Sequence, residues 1–146
     1  MVYLGIDYGE RRIGLSHGDD LGVAFPEAAA TGETEEERLS FIGQLIEHRG
    51  VDVLILGMPY HMNGSKGAKA REVEAFADRL REKFDRPVEF VDERLTSEEA
   101  RKRLGKKLGS DRASRQSGVL DSAAATLILQ DYLDQKIPLE IPEEEF

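Results

Sequence analysis

The sequence predicts an α/β domain built on a mixed sheet, and three observations carry that prediction. Two apolar stretches, residues 2–6 and 13–17, are joined by "DYGER", which is too short for a helical crossover, so the strands pair antiparallel. After Pro26 the apolar spacing changes from alternation to a helical period. From there strand-like and helix-like segments alternate, the pattern of parallel strands with helical crossovers.

The elements follow in order. A third short strand over 22–25, stopped by Pro26, completes a meander. Thr34 and Glu37 form a capping box, Leu39, Ile42, Leu45 and Ile46 follow at helical spacing, and Gly50 supplies a left-handed stop. "VDVLIL" is a buried strand closed by Gly57 and Pro59. The loop "PYHMNGSKG" leads to a helix whose Val73, Phe76, Ala77, Leu80 and Phe84 make one apolar stripe, and Pro87 precedes the strand "VEFV". Thr96 and Glu99 cap a short helix over 97–104, "GKKLGSDRASRQSG" is a basic loop rich in Gly and Ser, and a last helix covers 117–135. Residues 1–137 read as one domain, with 138–146 a flexible acidic tail.

Composition narrows the function. At 146 residues, 40% hydrophobic and 34% charged, the chain can bury roughly two-thirds of its unfolded surface without staples. The longest apolar runs are too short to span a bilayer and no secretory leader is visible, so a cytoplasmic protein is expected. With no cysteine, carboxylates and histidines are the strong metal ligands, and His17, His48 and His61 are not spaced as a cluster. The net charge of −9 argues against nucleic acid, yet residues 94–115 hold eight basic side chains against three acidic ones. That local charge of +5 leaves −14 on the rest of the chain. Taken alone such a run is a solvated surface; beside a site it is a phosphate contact.

Ligands of a parallel sheet bind beyond the carboxyl ends of the strands. Asp7 ends the first strand there, and Asp92 and Glu93 end the last. Asp121 lies one turn into the last helix, near the stripe of Ala124, Ala125, Ile128 and Tyr132 that must pack on the sheet. An ionised carboxylate at the edge of a core is costly without a partner, and each of the three has a structural reading, such as bonding the amides of a helix's first turn. Three of them from distant positions are better explained together, as ligands of one divalent cation.

"GIDYGERRIG", "LILGMPYHMNGSKG", "VEFVDERLT" and "GVLDSAAATLILQDYL" resemble the bacterial YqgF/RuvX family, members of the ribonuclease H-like superfamily described as Holliday junction resolvases and as nucleases of the 16S rRNA precursor. The resemblance covers residues 2–133 and implies a five-stranded mixed sheet in the order 3-2-1-4-5, with helices on both faces. It implies phosphodiester hydrolysis assisted by Mg²⁺ or Mn²⁺, with Asp7, Glu93 and Asp121 as catalytic and metal-binding residues. The loop departs from the family pattern at His61 and Asn63. Relatives such as RuvC take an acid from the end of the fourth strand, where this chain has Gly57-Met58-Pro59. In the order 3-2-1-4-5 the first and fifth strands lie roughly 10 Å apart, which favours the longer Glu93 over Asp92, and alternation puts those two on opposite faces.

The expected mechanism is two-metal hydrolysis, with cations about 3.5–4 Å apart. Arg11, Arg12, Lys66, Arg94, Lys106, Lys107, Arg112 and Arg115 are candidate contacts to the phosphates of precursor rRNA or of branched DNA. "DYGERRIG" also resembles the phosphate loop of sugar-kinase and actin-type ATPases, although those need two such lobes. A non-catalytic RNA-binding module is a third reading. Ile137, Leu139 and Ile141 are too few to build an obligate interface, so a monomer or weak homodimer is expected.

Overall fold

A computed structural model describes residues 1–93 and 122–136 of the chain. The short helix over 97–104, the basic loop, the start of the last helix and the acidic tail lie outside the described residues. Five strands form one sheet: β1 (Val2–Asp7), β2 (Arg12–Asp19), β3 (Ala24–Thr31), β4 (Val53–Met58) and β5 (Val88–Asp92). Their order is β3-β2-β1-β4-β5; β1–β2 and β2–β3 pair antiparallel, β1–β4 and β4–β5 parallel.

Alternation along the central strands divides the core in two. Leu4, Ile6, Leu54 and Leu56 face the helices α1 (Glu35–Arg49) and α2 (Ala68–Phe84), against Ile42, Ile46, Phe76 and Leu80. Tyr3, Ile55 and Val91 face the third helix, α3 (Ala123–Lys136), through Ile128, Leu129, Tyr132 and Leu133. The sheet is therefore covered on both sides, as parallel strands with continuous apolar runs require.

The α3 face is bared to bring the helix close. A Cβ on Gly5 would lie 2.7 Å from Leu129 Cβ and 2.8 Å from the Ala125 carbonyl oxygen, and one on Gly18 would lie 2.9 Å from Leu133 Cδ1. At that separation polar groups join the two layers. Ser16 Oγ donates to the Ala125 carbonyl at 2.7 Å, and Ser122 Oγ accepts from Leu15 N at 3.0 Å. Gln130 grips the β2–β3 turn, accepting from Ala24 N and donating to the Gly22 carbonyl, both at 2.9 Å.

The predicted ends of α1 are met. Thr34 caps α1 by accepting from Glu37 N at 3.2 Å, while the Glu37 carboxylate takes the Glu33 amide, and Gly50 closes the helix at φ 65°. The third strand differs from expectation. It does not stop at Pro26 but begins at Ala24 and continues to Thr31. Ala24 gives its N–H to Gln130 and not to β2, and Pro26, two residues on, has its nitrogen on that same outer side. A proline is tolerated there because the ladder needs no donor from it.

At the same edge His17 sits between β3 and α1. Its Nδ1 lies 2.6 Å from Glu27 Oε1, which is also 2.6 Å from Arg49, but Nδ1 and Oε1 are buried off the hydrogen-bond axis. Burial, and then the Arg49 guanidinium, hold the imidazole below its ordinary value of 6.5, outweighing the attraction of Glu27. The unfolded chain therefore binds this proton more readily than the folded one. The stability tied to neutral His17 is present above pH 6.5 and is lost as pH falls below it.

Two outcomes follow. Urea unfolding between pH 7.5 and 5.5 should find the wild type losing stability faster than His17→Gln; parallel pH curves would remove the role given to His17. Gly5→Ala should cost about 1–3 kcal/mol in the same assay at neutral pH, the usual cost of overpacking.

Candidate active site

The carboxyl ends of β1, β4 and β5 lie at one end of the sheet, with the starts of β2, α1 and α2. Asp7 is the last residue of β1, opposite Gly14 of β2 and half-buried. Tyr3 and Gly5 face α3, so alternation carries Asp7 to that face as well. In the β1–β4 register Ile6 pairs with Leu56, and the next step sets Asp7 beside Gly57.

Gly57 explains how an acid on β5 can approach one on β1. A Cβ at Gly57 would lie 2.5 Å from Glu93 Oε1 and 2.5 Å from Ile128 Cδ1. The Glu93 carboxylate therefore rests over Gly57, in the space a side chain on β4 would fill, on the strand that lies between β5 and β1. One strand spacing, roughly 4.8 Å, is thereby crossed by the glutamate itself. Asp92 pairs with Met58 and by alternation faces the other side. Among the described residues no group of three His, Asp or Glu is placed to hold a metal ion.

Asp121, Arg94, Lys106, Lys107, Arg112 and Arg115 lie outside the described residues. Ser122, the neighbour of Asp121, is fully buried; besides holding Leu15 N, its carbonyl accepts from Thr126 Oγ1 at 2.9 Å.

Two loops frame the site. In the β1–β2 turn a Cβ on Gly9 would collide with the Arg12 carbonyl, so only glycine fits there. Tyr8 packs on Phe76 with ring centroids 4.4 Å apart, which ties the residue after Asp7 to α2, and Lys69 Nζ lies 5.6 Å from the Tyr8 centroid. Arg11 and Arg12 are exposed on this turn. In the β4–α2 loop Asn63 Oδ1 accepts from the amide and hydroxyl of Ser65, and the His61 ring packs against Gly67. Lys66 is exposed and lies 3.2 Å from Glu74.

Sequence reasoning overlooked Gly57 and Lys69. The signal for Gly57 was the absence of an acid at the end of β4 in a chain that has one at the end of β5. Lys69 carries no local signal, because its relation to Tyr8 spans two elements.

A model of the RuvX family, described as Holliday junction resolvase, matches residues 1–135. A relative in Opitutus terrae, named "Putative pre-16S rRNA nuclease", is 49% identical over 143 residues, 97% of each chain. Another of that name in Gloeothece citriformis is 41% identical over 146 residues, 96% of this chain and 92% of its own. The fold is similar to that of Thermus thermophilus RuvC in complex with Holliday junction substrate, at TM-score 0.54 and 17% identity, covering 94% of this chain and 97% of that one. It is also similar to Fowlpox virus resolvase in complex with Holliday junction DNA, at TM-score 0.56 and 14% identity, covering 94% and 99%. These two likenesses are of fold, a ribonuclease H-like sheet. With the family model and relatives of 41% and 49% identity spanning nearly its whole length, the chain belongs to the RuvX family.

Proposed function

We infer that the chain is a metal-dependent nuclease that hydrolyses phosphodiester bonds in maturing the 5′ end of the 16S rRNA precursor. The observation that carries this reading is the Glu93 carboxylate over Gly57, on the strand next to the one that ends in Asp7 and on the α3 side of the sheet's end. The names of the relatives in Opitutus terrae and Gloeothece citriformis support the RNA substrate. No described helix is long and apolar enough to cross a membrane, and a cytoplasmic site of action fits that substrate.

The residues present fit a hard divalent cation, Mg²⁺ or Mn²⁺. Their donors are carboxylate oxygens, the chain has no cysteine, and His17 and His61 are engaged elsewhere, against Glu27 and Gly67. Asp7, Glu93 and Asp121 would hold the cation, whose charge would offset the repulsion between carboxylates gathered at one end of the sheet. When bound, the metal supplies an activated water and stabilises the leaving oxygen. Arg11, Arg12 and Lys66, with Arg94, Lys106, Lys107, Arg112 and Arg115, hold the phosphates on either side of the cut. The protein acts as a monomer or weak dimer, cutting one strand at a time.

A second reading, resolution of four-way DNA junctions, is favoured by the family's description. It requires two sites in a symmetric pair. Purified protein incubated with precursor 16S RNA ends or four-way junctions, in Mn²⁺, Mg²⁺ or EDTA, separates the two. RNA should be trimmed with metal and left intact in EDTA. Junction cleavage by a stable dimer would reverse the choice, and ATP turnover without cleavage would overturn both readings.

Within that assay Asp7→Asn should lower kcat by more than about 100-fold while changing unfolding free energy by less than about 1 kcal/mol. A large loss of stability would make Asp7 a structural acid. Glu93→Gln should likewise lower kcat, and Gly57→Ala should do so by at least about tenfold, because its methyl group takes the carboxylate's place.

A further inference from the structure

The rim of the sheet at the Asp7 end is divided in charge. Thr31 closes β3 opposite Arg12, so α1 begins at this end, over the β2–β3 half, with Glu35, Glu36 and Glu37 in its first turn. α2 begins at the same end behind β4, has no acid in its first turn, and carries Lys69 there. The contact described for that ammonium is the face of Tyr8, the residue that follows Asp7. Tyr8 follows Asp7 in the chain but packs in the α2 layer, so the cation stands at the same end of the sheet as the candidate carboxylate, on the α2 side of the rim.

A cation over an aromatic face at an exposed site gains only about 0.5–1 kcal/mol and keeps most of its hydration, so it can still pair with an anion. Tyr8 cannot drift, because Phe76 packs against its ring. Lys69 is thus a positioned charge, unlike an ordinary surface lysine, whose entropy cost on binding it avoids in part. Arg71 is an internal comparison: equally basic and exposed, it lies two residues on, about 200° round the helix from Lys69.

We propose that Lys69, seated on Tyr8, is a positioning residue that holds a backbone phosphate of the substrate strand beside the scissile one. The strand then leaves the carboxylates over the start of α2. This rests on the nuclease reading above.

The test uses the full chain, with a labelled RNA spanning the precursor 16S 5′ end. Binding is read by anisotropy in EDTA and cleavage in Mn²⁺. Lys69→Met keeps an apolar stem over Tyr8 and removes the charge. It should raise Kd and KM about tenfold, leave kcat within about twofold, and flatten the dependence of log Kd on log salt by about one unit. Lys69→Arg should restore Kd, and Arg71→Met should leave it within about twofold. If the wild type cuts and Lys69→Met binds like the wild type, or no worse than Arg71→Met, the inference is overturned while the nuclease reading stands. If the wild type neither binds nor cuts, both fall together.

Discussion

The close seating of α3 on the sheet is the constraint on which the remainder of the molecule depends. It is obtained by leaving side chains off the strands: Gly18 on β2, Gly5 on β1 and Gly57 on β4 each lie where a Cβ would overlap an α3 residue. The approach lets Ser16 and Ser122 join strand and helix by hydrogen bonds between residues more than 100 apart in the chain. Each is worth about 1 kcal/mol net, and losing one partner would leave a fully buried polar group unpaired at greater cost. The seating that closes the hydrophobic layer also anchors the chain beside Asp121 to β2, at the end of the sheet where β1 delivers Asp7.

The same vacancy serves two purposes on β4. At Gly57 it admits Ile128 from above and Glu93 from the side. Packing and chemistry are therefore coupled at one position: a side chain there would press the helix outward and displace the carboxylate. Glu93, just past β5, keeps its place over β4 only while that strand has no side chain at its end.

What could be read from the sequence was whatever is encoded locally. The Thr34–Glu37 cap, the Gly50 stop and the stripe of Val73, Phe76, Ala77 and Leu80 lie within a few residues of the elements they specify, and they appear as expected. The sheet order was legible through family resemblance, and the opposite facing of Asp92 and Glu93 followed from strand alternation. β3 was misjudged because Pro26 reads as a terminator unless its outward-facing nitrogen is known, and that depends on Gln130, more than a hundred residues away. The Tyr8–Lys69 contact was illegible for the same reason, while the space over Gly57 showed in the sequence only as a missing acid at the end of β4.

The outer side of β3 has a consequence for how the protein behaves in a crowded solution. Leu21, Val23 and Phe25 are exposed around this edge, the composition that invites strand-to-strand aggregation. Yet of the first outward amides, the one at Ala24 is occupied by Gln130 and the one at Pro26 does not exist. At the start of β3 an incoming strand would therefore find carbonyls with no free donor beside them, which blunts this stretch of the edge as a template. A β-branched residue in place of Pro26 would restore an outward donor beside exposed apolar side chains, giving an incoming strand a place to pair.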